Sequence, residues 1–414
     1  MNGPVTSVES VFREEHGRLL AALVHRFGDL DLAEDVTADA FAAALQRWPV
    51  DGVPDRPGAW LLTTARRRAV DRLRRDRVHA TRLAVLQAES ERAAVPGPDT
   101  DSGGLPDDRL ALFFTCAHPA LSADDRIALI LRCLAGLSTD EVARAFLVSS
   151  TTMAQRIVRA KKKIRVARIP FRVPEPDALH ERLPVVLAAL YSIFTEGYAA
   201  SSGADLQRVD LAEEAIRLAR VLHALMPTHR EVTGLLALLL LVHARRDARV
   251  DATGAMVLLD DQDRSLWDRT MIDEGRDLVV TALTGGLPGS YAVQAAIAAV
   301  HDEATGTDDT DWRQIIALYD VLLALTPSPV VALNRAVAVA MCDGPAAGLA
   351  LVDGLADDPR LRDHHPYEMV RAELLRRLGR SAEAVVHFRR AAALAGTDPE
   401  QRLLRRRIDE LHRR

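Results

Sequence analysis

Along nearly the whole chain, apolar residues recur three and four positions apart, a spacing that lays one stripe along a helix but scatters over both faces of a strand. From Ser10 to Arg47 this places Leu19, Leu20, Leu23, Val24 and Phe27 on one helix and Ala33, Val36, Ala40, Phe41, Ala44 and Leu45 on the next, with a break near Gly28 to Leu32. Three prolines and two glycines between Pro49 and Gly58 predict a loop, and a third helix is predicted over Trp60 to Arg77. Residues from about Arg82 to Asp108 are rich in Pro, Gly, Asp and Ser and read as a flexible linker. Helices resume over Asp108–His118, Ala123–Leu134, Thr139–Phe146 and Ser150–Arg168; Pro170, Pro174 and Pro176 then interrupt, and a long helical array follows. Aromatics at 4 % and abundant Leu, Ala, Val and Arg suit helices packed through aliphatic side chains, so the expected fold class is all-α. The 414 residues are about twice what one core supports, which implies two or three domains.

A net charge of −5 argues against a nucleic-acid partner only as an average. Residues 1–172 carry 26 Lys and Arg against 22 Asp and Glu, a net +4, so the remainder carries −9. Two segments hold the positive excess. Arg56–Arg82 has nine arginines against Asp71 and Asp76, and Arg156–Arg172 has eight basic residues and no acid. Two separated basic stretches in an acidic chain suggest a polyanion gripped at two places, the alternative being two solvated helix faces.

Ser138-Thr139-Asp140-Glu141 has the S-x-x-E pattern of a capping box, in which side chains satisfy the free N–H groups at a helix start. Val142, Ala143 and Phe146 face inward, Leu147-Val148-Ser149 makes a short turn, and Ser149 is positioned to cap a second helix. On that helix Met153, Ile157, Ala160 and Ile164 share one face. Thr151, Thr152, Gln155, Arg156, Arg159 and Lys162 point outward, a polar and basic surface suited to a DNA major groove. An ordinary helical hairpin has the same outline.

In the second half, IRLARVLHALMP (Ile216–Pro227) and IALYDVLLALTP (Ile316–Pro327) agree at seven positions. Ala372, Leu375, Gly379, Ala384, Phe388 and Ala391 follow the small-large-Gly-small-aromatic-small order of a tetratricopeptide repeat, and Gly344 marks a similar turn 35 residues earlier. An α-solenoid is expected. Gly197, Gly203 and Gly344 read as tight turns.

The chain lacks a G-x-x-x-x-G-K-[ST] phosphate loop, an H-E-x-x-H zinc helix and a G-x-S-x-G elbow. Cys116, Cys133 and Cys342 form no CxxC pair, His364-His365 reads as an exposed connection, and Asp260-Asp261-Gln262-Asp263 as a polar turn. No catalytic residue, metal site or cofactor is expected. The longest apolar run, Leu235–Val242, is far short of the roughly 20 residues that span a bilayer, and no export signal is evident, so a cytoplasmic protein without membrane contact is expected.

In order along the chain, LAEDVTADAFAAALQRW (Leu32–Trp48), AWLLTTARRRAVDRLRR (Ala59–Arg75) and Leu121–Arg165 resemble regions two and four of the extracytoplasmic-function branch of the bacterial sigma-70 family, the promoter-specificity subunits of RNA polymerase. YSIFTEGYAASSG (Tyr191–Gly203) and DGPAAGLALVD (Asp343–Asp353) resemble blocks of the subgroup with a C-terminal tetratricopeptide-like extension. The resemblance implies core RNA polymerase (beta-prime and beta subunits) and promoter DNA as partners. Glu34, Asp35 and Asp39 would dock on polymerase; Arg66, Arg67, Arg68, Arg72, Arg74 and Arg75 would face the minus-ten element; Thr151, Thr152, Gln155, Arg156, Arg159 and Lys162 would face the minus-thirty-five element. Ala38 and Arg67 depart from the family's usual Gln and Asn. Phe41 and Trp60 are expected in packing roles. The domains expected are a region 2 domain over 8–80, a linker over 81–107, a region 4 helix-turn-helix domain over 108–170, a connecting segment over 171–205 and a helical repeat domain over 206–414. The repeat domain would bind a protein partner or regulate activity. A helix-turn-helix regulator that binds operators without polymerase, and an interaction scaffold with incidental basic patches, are the alternatives.

Overall fold

A computed structural model describes residues 4–84, 108–146 and 148–413, and most of the linker expected over 81–107 lies outside them. Among the described residues the regular elements are helices, with no strand, and the chain divides into two compact units, Met1–Ala189 and Leu190–Arg414.

The first unit opens with α1 (Pro4–Phe27), α2 (Leu30–Asp51) and α3 (Pro57–Ala84), which pack on one another. The break between α1 and α2 follows from local chemistry. Gly28 adopts a φ of 68°, and the Asp29 carboxylate accepts hydrogen bonds from the Asp31 and Leu32 amides at 2.9 and 3.0 Å. The expected apolar stripe is buried except at its edges, where Phe27 is half-buried and Leu45 is 51 % exposed.

The loop expected from Pro49 is shorter than its prolines suggest. α2 runs to Asp51, because a proline in the last turn forfeits only one hydrogen bond. The buried Trp48 anchors that turn against Trp60, edge to face at 5.5 Å, and the Gly52 N–H closes the helix on the Trp48 carbonyl at 3.0 Å. α3 then starts on Pro57, whose missing N–H would have been unpaired anyway, and continues past Arg77.

α4 (Arg109–Cys116), α5 (Ala123–Leu129), α6 (Thr139–Ala145) and α7 (Ser150–Val166) follow, with a π-helical turn over Ile130–Leu134. α1 packs on α4 and on this turn, so both basic modules lie in one compact unit. The segment expected to connect to the repeats is mainly a helix, α8 (Pro176–Tyr198), because Pro170 and Pro174 precede it and Pro176 begins it.

The second unit contains α9 (Val209–Leu225), α10 (Arg230–His243), α11 (Arg269–Leu283), α12 (Ser290–Glu303), α13 (Trp312–Leu325), α14 (Pro329–Asp343), α15 (Pro345–Asp353), α16 (His365–Arg377), α17 (Ser381–Leu394) and α18 (Asp398–His412). Each packs chiefly on its neighbours in sequence, as stacked helix pairs do. The two similar twelve-residue segments fall on α9 and α13 with the turns that follow. Ala372, Leu375, Ala384, Phe388 and Ala391 are all buried, while Gly344 and Gly379 turn the chain at φ 96° and 75°.

Two expectations are corrected here. Gly197 is no turn. It lies inside α8, where a Cβ would meet the Ala212 backbone nitrogen at 2.4 Å, so its role is close approach to α9. His365 is no exposed connection: it starts α16, is largely buried and stands 3.8 Å from Glu400.

The array also returns on itself. Arg402 donates to the Gly254 carbonyl at 2.8 Å, Arg406 pairs with Asp251 at 2.9 Å and the Met256 amide donates to the Pro399 carbonyl at 3.1 Å. The last helix thereby closes against the loop after α10. No helix among the described residues is long and apolar enough to cross a membrane, and no group of three or more metal-ligating side chains is assembled there.

Candidate nucleic-acid interface

α6 and α7 start where their capping residues dictate. The Glu141 amide donates to Ser138 Oγ at 3.2 Å while Glu141 Oε2 accepts from the Ser138 amide at 2.7 Å, completing the capping box. The Thr152 amide donates to Ser149 Oγ at 3.2 Å. Met153, Ile157 and Ala160 seat α7 in the core with Ile164 half-buried, which turns Thr151, Thr152, Gln155, Arg159 and Lys162 to solvent together. Arg156 differs from the expected reading group. It bends back to Asp124 on α5 at 3.0 Å and lies over the Phe146 ring at 5.2 Å, so it is fixed to the scaffold.

On α3 the six arginines do not form one uniform patch. Arg67 and Arg74 are exposed, and Arg75 Nε donates to the Asp71 carbonyl at 3.3 Å. Arg66 is half-buried; burial, and then the nearby Arg26, lowers its guanidinium from its ordinary value. Arg68 stands 3.6 Å from Asp39 and Arg72 2.9 Å from Asp35, so the residues assigned to DNA and those assigned to polymerase interlock across α2 and α3. All four are exposed, and such pairs are individually worth about 1 kcal/mol or less, so a partner can take either side of them. Phe41 is core, as expected, and T-stacks on Phe12 at 4.7 Å.

Glu34 is in a different situation from Asp35 and Asp39. It is only 11 % exposed and is held by Lys161 of α7, itself 12 % exposed, with Arg132 at 3.7 Å. Lys161 also reaches Asp31 at 3.2 Å, and Arg165 pairs with Asp31 at 2.6 Å. Burial is the largest single influence and would lower the Lys161 ammonium, but the charge and hydrogen bond of Glu34, joined by Asp31, turn the net shift upward. The Cys133 thiol donates to Glu34 at 3.7 Å and is raised well above its usual value, first by a hydrogen bond with Cys116 and then by burial. Asp31, Arg132 and Arg165 escaped the sequence reading because nothing local links positions more than a hundred residues apart. The acidic run Asp29–Asp35 and the basic run after Arg156 were its only traces.

Comparison with known proteins accounts for this arrangement. Residues 11–78 match sigma-70 region 2 and residues 114–164 match sigma-70 region 4. The chain belongs to the sigma-70 family. Residues 182–283, covering most of α8 through α11, match a family of unknown function, DUF6596. An uncharacterized protein of Rhizobium meliloti (strain 1021) is 45 % identical over 398 residues, 95 % of this chain and 93 % of that one, so the full arrangement recurs there. A probable ECF RNA polymerase sigma factor, SigI, of Mycobacterium tuberculosis (strain ATCC 25618 / H37Rv) is 26 % identical over 163 residues, 39 % of this chain and 56 % of that one. No solved structure matches. Region 2 is thus the α1–α3 module, and region 4 is built on α4–α7.

Proposed function

We propose that this sigma factor is of the extracytoplasmic-function type, docking on the beta-prime and beta subunits of core RNA polymerase and directing it to promoters. The observation that carries the reading is the capped α6–α7 helix-turn-helix with its outward Thr151, Gln155, Arg159 and Lys162, preceded by a three-helix module whose third helix bears Arg66–Arg75. Region 4 would lay α7 in the major groove of the minus-thirty-five element, where Gln and Arg are the side chains that discriminate base edges. Region 2 would hold an unstacked base of the minus-ten element beside the α3 arginines while Asp35 and Asp39 exchange those arginines for polymerase. Opening of the duplex would draw on binding energy, without nucleotide hydrolysis by this chain. The helical array would take a protein partner and set the activity of the first unit.

Transcription by core polymerase reconstituted with the full-length chain tests this. Gln155→Ala is expected to change preference at one promoter position by roughly 1–3 kcal/mol, whereas Lys162→Ala lowers affinity for all sequences and reduces the log–log salt slope by about 1. Tight binding of duplex DNA with no transcript from core polymerase would sink the sigma reading in favour of an operator-binding regulator.

A further inference from the structure

We propose that the arginine face of α18 is a docking surface for an acidic segment of a partner protein, and that the loop between α10 and α11 occupies it in the free chain as a built-in substitute. The proposal rests on the reading above in which the array takes a protein partner. Three observations carry it.

The first is the distribution of charge. Residues 190–358 carry 12 Lys and Arg against 25 Asp and Glu, a net −13, whereas residues 359–414 carry 14 against 8, a net +6. The basic excess of the second unit is confined to its end, and α18 alone holds Arg402, Arg405, Arg406 and Arg407.

The second is what sits on α18 now. The loop after α10 folds on itself, the Asp251 amide donating to the Ala255 carbonyl and the Val257 amide to the Arg249 carbonyl, both at 2.9 Å. Asp251 Oδ1 accepts from the Thr253 and Ala255 amides at 2.9 and 3.0 Å, which leaves Oδ2 for Arg406 at 2.9 Å. Asp261 pairs with Arg407 at 3.2 Å. A Cβ on Gly254, at φ +76°, would stand 2.8 Å from Arg402 Nη1, so the loop tip leaves room for the guanidinium that bonds its carbonyl. The loop thus offers α18 two carboxylates and a main-chain carbonyl, the acceptors of any acidic peptide. Its shape is set by bonds of its own, and its pairs to α18 are partly exposed, 41 % at Arg406 and 58 % at Asp261, where ion pairs hold weakly.

The third is unused positive charge. Arg389, Arg390 and Arg405 are exposed with no ion-pair partner among the described residues, and Arg407 Nε is buried without a hydrogen-bond partner there. Gln401 Nε2 donates to the Ala392 carbonyl at 2.6 Å and fixes α18 along α17, so Arg405, one turn on, comes level with Arg389 of the antiparallel helix. The loop neutralises one part of this basic strip and stops. An acidic segment that also pairs with Arg389, Arg390 and Arg405 gains contacts the loop cannot make, and so displaces it. A peptide suits the strip better than duplex DNA, because what it already holds is a narrow loop bonded partly through its main chain.

The test uses the full chain and a fluorescein-labelled oligoglutamate peptide. Asp251→Asn with Asp261→Asn removes the loop's charges but keeps a side-chain oxygen for the Thr253 and Ala255 amides. The pair is expected to tighten peptide binding about tenfold, since the open fraction rises, and adding Arg405→Gln and Arg406→Gln should abolish the gain. In the wild-type chain, saturating peptide should speed hydrogen exchange at the Met256 amide, which donates to the Pro399 carbonyl at 3.1 Å while the loop is seated. Should the double variant disturb the loop, Asp261→Asn alone gives the same readings. No gain in peptide affinity, a gain that survives the loss of Arg405 and Arg406, or binding that leaves Met256 protected would each overturn the docking surface. An equal gain for a short DNA duplex would overturn its assignment to a protein segment. Polymerase is absent from these assays, so if the peptide docks as expected but leaves transcription by reconstituted polymerase unchanged, the array's control of the first unit fails and the surface stands.

Discussion

Arg245→Met is expected to destabilise the second unit by about 3–5 kcal/mol, a large part of the stability of a typical domain. Arg245 lies under the array's surface, its side chain 8 % exposed and that of Asp302 fully buried, with Arg245 Nε 2.8 Å from Asp302 Oδ1. Its Nη2 donates to the Ala298 carbonyl at 2.9 Å, and its guanidinium stacks 5.0 Å above the Trp267 ring. Burial raises the Asp302 carboxyl above its ordinary value even with Arg245 present. Without the arginine, Asp302 must either keep an uncompensated charge or take up a proton, and Ala298 loses its donor. Replacing both partners, as Arg245→Met with Asp302→Leu, should recover most of the loss, because a buried ion pair offers little over well-packed apolar groups. Urea unfolding of the full chain, followed by circular dichroism, measures both. A single variant within 1 kcal/mol of wild type, on the order of the net value of a neutral hydrogen bond, would show that the pair is not the keystone of α10 and α12. The same variant tests the array's role: transcription unchanged when the array is loosened would count against its control of the first unit.

Acidification should weaken the same unit well before carboxylates are titrated. His243 is buried with no hydrogen-bond partner on either ring nitrogen among the described residues, and burial, reinforced by Arg246, lowers it to about 4. Asp247 and Asp268 oppose that shift without reversing it. His301, beside Arg245 and Arg264, is lowered to about 3, again mainly by burial. Both rings stay neutral in the fold, whereas in the unfolded chain each gains a proton near pH 6.5. Between about pH 6.5 and 4 the unfolded chain therefore binds more protons, so stability falls as the pH falls. At pH 5 the loss is roughly 2 kcal/mol per histidine. The raised Asp302 acts in the opposite sense, because the fold holds that proton more tightly, and it offsets part of the loss. Unfolding midpoints at pH 7, 6 and 5 check this. His243→Leu should flatten the dependence, and an equal slope in that variant would show that His243 is not among the groups responsible.

Much of this protein is legible locally. A helix start depends on one side chain reaching an amide three residues away, so Ser138 and Ser149 announced α6 and α7 without tertiary information. The core stripes and the turns at Gly344 and Gly379 were equally readable, because 3.6-residue periodicity and positive φ leave direct marks on residue choice. The outer face of α7 followed once its inner face was known. Prolines misled where their position in the turn mattered more than their presence: Pro49 ends a helix without forbidding its last turn, and Pro176 begins one.

The sequence by itself therefore determined the helical fold, the order of regions 2 and 4, and most of the outward face of α7, since each rests on contacts a few residues apart. Only the tertiary structure decided which charges are spent on the protein's own surface. Arg156 belongs to Asp124, Arg68 and Arg72 to Asp39 and Asp35, and Lys161 to Glu34, 127 residues away. The same level of structure gave Gly197 its purpose, because close approach of two backbones is a property of packing that no local pattern encodes.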